Sequence, residues 1–600
     1  MLDEDQQRVV DASSSFWAVY AGAGAGKTLT LVNRAARLSL LGKTLCLTFT
    51  SESGRNMRDR CAKLFPSSTA EFRTVHSLAL QFANEHPDSF PFPLSDNPLA
   101  GDGVAMKAAF QATKNNINFR VFTAYVSLQK RKRISPVEAV QIAERTGKDL
   151  ASALAFKEYQ RLLKNLGVLD FDDLISFMVD ILESRPDIRA KWQYNHILVD
   201  EAQDLSKIEW DLMSLLTRKN KSLMAVGDSG QAIFGFRGGI SEHFLSMDDY
   251  FPGTQKLFLG KNYRSTRSIV SYVKAATPQQ ELAEHLEAVS EEEGVEPVIT
   301  GYSTDFMEAE GVVNKIALLP PNDCAVLART NVALRATEEV LIERNVPYYL
   351  LNEDGFWDLE EIRNLLAWIR CVQAPVDNFL LAALQTPFWP TQFIKRKLVA
   401  QEIREQITKQ GKTAWVLLSN YRSRDDRQNR AVKKFVDFVR KIYGYRGLPA
   451  KEVVGNLLRD LKAIDHYKEE SGICPDKDPV ASLRELLRVS EKKDSLPDFL
   501  SYVRKVMGAN RSRKGVVLST IHSAKGKEWP NVFLISVNQG VLPHSKAVTP
   551  EDIQSERCAF YVGVSRASKT LGISYWGNKS SFLTNSEKPD TLKVGEENGD

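Results

Sequence analysis

The sequence predicts an α/β protein made of two parallel-sheet lobes, each interrupted by a mainly helical insertion. Three observations predict it. Short apolar, β-rich runs recur and each is followed by turn residues and a helical pattern. These runs fall into two groups separated by long strand-poor stretches. A glycine-rich loop joins the first run to a helix, as phosphate-binding α/β units require.

In the first group the runs are Phe16 to Tyr20, Lys43 to Phe49, His196 to Val199 and Ser222 to Val226. In the second they are Cys324 to Ala328, Val516 to Ser519, Val532 to Val537 and Leu571 to Tyr575. They are continuously apolar rather than alternating, which is the pattern of parallel strands buried on both faces. Glu85 to Leu166 and Pro387 to Lys514 read instead as helix and loop. The first of these opens with the proline-rich loop Pro91 to Gly103 and carries the basic run Lys130 to Arg133. The expected organisation is a first lobe over 1–85 and 166–260 and a first insertion over 86–165. A second lobe follows over 261–386 and 515–584, with a second, basic insertion over 387–514. Residues 585–600 are polar and acidic and are expected to be disordered.

At 600 residues the chain has room for about four units of ordinary domain size. No apolar run approaches the roughly 18 residues of a membrane span, and Leu2 to Arg8 is polar rather than leader-like. The expected setting is cytoplasmic, without membrane contact. The six cysteines form no CxxC pair and no cluster with histidine, so reduced thiols are expected rather than a cysteine metal site. The net charge is only +4, yet Thr391 to Gly515 holds 29 Lys and Arg against 16 Asp and Glu, which leaves −9 on the rest. Such a region suits a polyanion partner, although a solvated helical surface would carry the same charge.

Ala21-Gly22-Ala23-Gly24-Ala25-Gly26-Lys27-Thr28 follows the first apolar run and opens a helical pattern at Leu29. Small residues there let backbone N–H groups converge on phosphate oxygens at a helix N-terminus. Lys27 would reach the β- and γ-phosphates of ATP, and the Thr28 hydroxyl would ligate Mg²⁺. Ala21 stands where the strict pattern begins with glycine. A second apolar run ends in Asp200-Glu201, two carboxylates suited to holding the metal and polarising an attacking water, respectively.

With these motifs in place, the chain resembles the UvrD/Rep/PcrA family of superfamily 1 helicases, in order from Leu2 to about Tyr575. The resemblance implies two RecA-like lobes with nucleotide between them and single-stranded DNA across their tops. Leu2 to Gln6 is similar to the family's adenine-reading segment, which implies Gln6 as the adenine contact. Thr48-Phe49-Thr50 and Thr74 to Ser77 resemble its DNA-contacting segments, implying Thr50 and His76. His76 would equally suit a hydrogen-bonded core position. Asp170 to Leu174 matches a family segment whose role the sequence does not supply.

Gly227 to Gly238 resembles the segment joining the ATP site to DNA, implying Gln231 in the catalytic set and Phe234, Phe236 and Arg237 on DNA. Phe236 would stack on a base, and Phe234 replaces the family's tyrosine. Asn262-Tyr263-Arg264-Ser265 resembles the stretch that stacks Tyr263 on adenine and brings Arg264 to the γ-phosphate. Thr520 to Trp529 is similar to the long coupling motif, implying His522 on DNA and Gly526 and Glu528 near the nucleotide. Tyr561 to Ala567 resembles the motif whose arginine, here Arg566, is the arginine finger. Cations reaching the γ-phosphate from a second lobe meet a different charge before and after hydrolysis, so lobe closure would follow nucleotide state.

Two departures accompany the resemblance. Gln385-Thr386-Pro387-Phe388-Trp389-Pro390 stands where the family carries a Gly-Ile-Gly duplex-binding signature. The chain also ends soon after the last motif, which argues against a helicase-nuclease. The expected function is ATP-dependent 3′ to 5′ translocation on single-stranded DNA with duplex unwinding, acting at single-strand/duplex junctions alongside accessory repair or replication proteins. The alternatives are a translocase that strips bound proteins with little unwinding of its own, and a nucleotide-switched DNA-binding subunit.

Overall fold

The computed structural model describes residues 2–13, 15–113, 119–233, 241–351, 356–468, 478–509 and 514–584. Phe234, Phe236, Arg237 and the expected acidic tail lie outside the described residues.

The first sheet is built from β1 (Phe16–Ala21), β2 (Thr44–Thr48), β3 (Glu71–Thr74), β4 (Tyr194–Val199), β5 (Thr217–Gly227) and β6 (Gln255–Leu259), ordered β3-β2-β4-β5-β1-β6 with parallel pairings throughout. Leu45 and Leu47 face one hydrophobic layer, whereas Cys46 between them faces another. Successive residues of β2 thus bury opposite faces, as the two-residue period of a strand demands.

A short ribbon of β7 (Lys261–Asn262) and β8 (Glu287–Ala288) leads to the second sheet. That sheet contains β9 (Val298–Tyr302), β10 (Cys324–Ala328), β11 (Tyr348–Leu350), β12 (Val516–Thr520), β13 (Trp529–Leu534) and β14 (Ala567–Trp576), ordered β11-β12-β10-β13-β14-β9 and again parallel. Cys324, Val326 and Ala328 point into one core and Ala325 and Leu327 into the other. Among the described residues no helix is long and apolar enough to cross a membrane.

Between β3 and β4, helices Asp102–Thr113, Phe119–Arg131, Pro136–Thr146 and Leu150–Leu166 enclose a core of their own around Phe122, Phe156 and Tyr159. The first two residues of the basic run at their centre, Lys130 and Arg131, are turned inward. Lys130 Nζ lies 2.6 Å from Asp170 Oδ2 and 2.7 Å from Asp173 Oδ1, and Arg131 Nε donates to Asp172 Oδ1 at 3.0 Å. Asp170 and Asp173 also form the reciprocal capping box of helix Phe171–Ser184. The acidic segment that had no role on paper therefore caps a helix of the first lobe and ties the insertion to it.

Between β11 and β12, the described chain is helical from Glu360 to Ala509. Its longest helix, Asp426–Tyr443, buries Phe435 and Phe438 against Trp368. This core is continuous with one face of the second sheet.

Four strands of the two six-stranded sheets were not anticipated, β3, β6, β9 and β11, and neither was the short ribbon of β7 and β8. All four are edges of their sheets. An edge strand keeps part of its surface in water, so Gln255 and Lys256 open β6 as exposed residues and no continuous apolar run results.

Candidate nucleotide and nucleic-acid site

β1 lies inside the first sheet between β5 and β6, and its carboxyl end turns through Gly22 to Gly26 into helix Lys27–Ser39. Gly24 and Gly26 hold φ of +73° and +75°, backbone that side chains rarely adopt. Space is equally restrictive. A Cβ on Gly24 would meet Arg264 Cβ at 2.8 Å, and one on Gly26 would meet Gln6 Nε2 at 2.6 Å. Gln6 Nε2 donates to Ala25 O at 3.1 Å from helix Glu4–Asp11, so the amide expected at adenine touches the loop's backbone. Thr28 follows Lys27 in the first helical turn and is half-buried.

β4 ends at the same edge, next to β5, and delivers Asp200 and Glu201. Glu201 takes a φ of +54°, a strained value for a residue with a side chain. Its Oε1 sits 3.4 Å from Lys27 Nζ, and its Oε2 accepts from Gln203 Nε2 at 2.6 Å. β5 leads directly into Asp228, which accepts from Gln231 Nε2 at 2.8 Å and Tyr561 Oη at 3.0 Å.

The electrostatics follow from burying these groups together. Burial and the Glu201 charge raise Asp200 well above the usual carboxylate range. Burial opposes ionisation of Glu201 too, but Lys27 and Lys525 outweigh it and hold that carboxyl below its ordinary value. Burial would strip Lys27 of its proton, yet Glu201, Asp228 and Asp200 keep it firmly cationic. Arg566 is pushed down by burial and by the neighbouring Arg264 charge.

The second lobe closes over this edge. Asn262 Nδ2 donates to Ala23 O at 2.8 Å and Tyr263 N to Gly24 O at 3.0 Å. Tyr263 is 47% exposed, and its hydroxyl donates to Asp3 beside Gln6. Arg264 Nε contacts Glu528 Oε2 at 2.5 Å, and its Nη1 donates to Ser565 O at 2.9 Å. Arg566, only 1% exposed, donates to Val562 O, Lys527 O, Ser565 Oγ and, at 3.4 Å, Gln231 Oε1. Lys525 Nζ reaches across to Asp204 Oδ2 at 2.5 Å and Gln231 O at 2.8 Å. Gly526 follows at φ +79° with open space around it.

Lys27 thus contacts Glu201 and Gln231 contacts Arg566, and the Arg566 charge is felt at Lys27. The sequence reading assigned no individual role to Gln203, Asp204, Asp228, Asn262, Lys525 or Tyr561. All six lie within or beside the recognised motifs, but nothing in a linear pattern pairs Lys525 with Asp204 or Tyr561 with Asp228.

The described residues among the expected DNA contacts follow carboxyl ends of strands, Thr50 and His522 in turns and His76 in the first turn of helix Val75–Glu85. Thr50 follows β2, is exposed and caps helix Ser51–Leu64; His76 follows β3; His522 follows β12. His76 is half-buried, its ring edge-on to Phe171 at 5.6 Å, and Phe171 is 53% exposed. Lys527 Nζ meets Glu52 Oε1 at 3.2 Å, bridging the lobes near Thr50.

Two family models match the chain: the UvrD/REP helicase N-terminal domain over residues 2–252 and the UvrD-like helicase C-terminal domain over residues 257–578. The chain belongs to the UvrD-like helicases. Its two parallel sheets are accordingly the two RecA-like lobes of that family. The ATP-dependent DNA helicase PcrA of Leuconostoc citreum is 28% identical to this helicase over 636 residues, covering 97% of this chain and 82% of the relative. PcrA of Staphylococcus aureus is 27% identical, covering 97% and 84%. The ATP-dependent DNA helicase Rep of Buchnera aphidicola is 26% identical, covering 96% and 93%.

Proposed function

We propose that this UvrD-like helicase couples ATP hydrolysis to 3′ to 5′ movement on single-stranded DNA and to separation of duplex strands. The observation that carries the reading is the seating of Arg264 and Arg566, from the second lobe, over the phosphate loop and Glu201 of the first. A buried arginine beside another arginine, bonded only to neutral acceptors, is an arginine suited to an anion.

The residues present fit ATP. Two left-handed glycines, a helix N-terminus and a cationic Lys27 make a cradle for phosphates, and Gln6 and Tyr263 border its outer side. They also fit Mg²⁺. Thr28 and Asp200 offer hard oxygen donors, and such a cation ordinarily completes its shell with phosphate and water. When bound, it neutralises charge on the phosphate oxygens. Glu201, kept ionised by Lys27 and Lys525, orients and polarises the attacking water, and Arg566 stabilises charge developing on the departing phosphoryl group.

Gln231 contacts Arg566 and, through its backbone, Lys525, so a shift at the phosphate passes into the segment that continues toward Phe234, Phe236 and Arg237. Those three residues, with Thr50, His76 and His522, are the proposed DNA contacts. Phe171 joins them, because an exposed ring beside His76 offers a base a stacking surface.

Duplexes with a single 3′ tail or a single 5′ tail test the direction: the 3′-tailed substrate should unwind, and unwinding of the 5′-tailed one alone would reverse it. The replacement at Gln385 to Pro390 favours a second reading, a translocase that displaces bound proteins. Clearing a protein block without separating a tailed duplex would establish that reading instead.

A further inference from the structure

The second insertion contains a groove of about 750 Å³ that takes no part in the nucleotide site. Val376 and Val439 form apolar walls, and Trp415, Arg440 and Tyr443 are among the other lining residues. Helix Ala414–Ser419 presents Trp415, and the carboxyl end of helix Asp426–Tyr443 presents the other two. Val376 is 50% exposed and Tyr443 42%.

Each aromatic carries a guanidinium. Arg440 lies over Trp415 with its Cζ 5.6 Å from the ring centre. Arg446 lies over Tyr443 at 5.8 Å and donates to its hydroxyl at 3.0 Å. The acids nearby are already engaged: Asp377 Oδ1 accepts from Ala414 N at 2.7 Å, and Asp437 pairs with Arg440 at 3.2 Å. From Lys409 to Arg446, the stretch that carries Trp415, Arg440 and Tyr443, there are eleven Lys and Arg against three Asp.

Apolar walls, an exposed ring at Tyr443 and a half-buried one at Trp415, and arginines beside them form the combination that holds unpaired nucleotides, with bases on rings and phosphates on guanidinium groups. A duplex hides its base faces and would leave the rings unused. We propose that this groove binds the single strand displaced during unwinding, while the strand being tracked lies across the lobes. The proposal rests on the strand-separating function proposed above.

The test uses the full chain and forked DNA in which 5-iodouracil is placed either in the displaced 5′ arm or in the tracking 3′ arm. Photocrosslinks from the 5′ arm should map to peptides containing Trp415 or Tyr443. Crosslinks to those peptides only from the 3′ arm, or 5′-arm crosslinks only elsewhere, overturn the proposal. In parallel, a W415A/Y443A chain should hold the arm roughly tenfold or more weakly and should unwind the fork no faster than the same duplex lacking its 5′ arm. Its hydrolysis of ATP on plain single strands should match the unaltered chain. Equal loss on both duplexes, or on neither, contradicts the assignment. If the unaltered chain unwinds no substrate, the strand-separating function fails, while crosslinking still decides whether the groove takes a single strand.

Discussion

Two buried clusters of charge hold this molecule together, and they are built differently. At the base of the first insertion, Lys130 is enclosed by Asp170 and Asp173 at 2.6 and 2.7 Å, and Tyr159 donates to the same Asp170. Each charge there has its opposite within the protein. In the cleft, Lys27 stands 3.4 Å from Glu201, and Arg566 donates to carbonyls, a hydroxyl and an amide oxygen. In the first cluster one lysine is bonded to both carboxylates. The second carries an arginine without a carboxylate bonded to it, which is how a site differs from a bolt.

The comparison can be broken from either side. The largest effect is expected from Lys27→Ala, which should lower ATP hydrolysis by about 10³-fold or more while single-strand binding persists. Unchanged turnover in a coupled assay would remove the phosphate assignment. Lys130→Met should act on stability instead, by about 3–5 kcal/mol, because two buried carboxylates lose their cation. Urea unfolding measures it, and folded Lys130→Met protein should still hydrolyse ATP. A smaller effect, about tenfold, is expected when Lys525→Met cuts the tie to Asp204, seen as weaker stimulation of hydrolysis by single-stranded DNA.

The smallest effect concerns pH. Burial raises the Asp204 carboxyl to about 6 against an ordinary 3.8, with Lys525 opposing. The folded chain therefore binds that proton more tightly than the unfolded chain, and the group's contribution to stability grows as pH falls from about 6 toward 3.8 and shrinks as pH rises. Asp204→Asn should flatten the slope between roughly pH 6 and 4, and an unaltered slope would show that Asp204 does not titrate in this way.

The same contrast between interior and periphery governs what could be read from the sequence. β1, β2, β4, β5, β10, β12, β13 and β14 were visible as apolar runs because each has strands on both sides and helices on both faces. β3, β6, β9 and β11 were not, because each is an edge whose residues partly face water. The phosphate loop was legible since its chemistry is local: consecutive small residues, then Lys27 and Thr28. The pairing of Lys525 with Asp204, 321 residues apart, has no local signature. Nothing in the basic run at Lys130 points to a partner, and only the fold places Asp170 and Asp173 against it. Phe171 and the Trp415 groove are visible only as shapes.

The central claim is that a group from the second lobe acts on nucleotide held by the first. Arg566→Ala tests it most directly, with ATP affinity and single-strand-stimulated hydrolysis measured on the same protein. Hydrolysis should fall by about 10³-fold or more while affinity changes by less than about tenfold. Hydrolysis at the unaltered rate would contradict the claim.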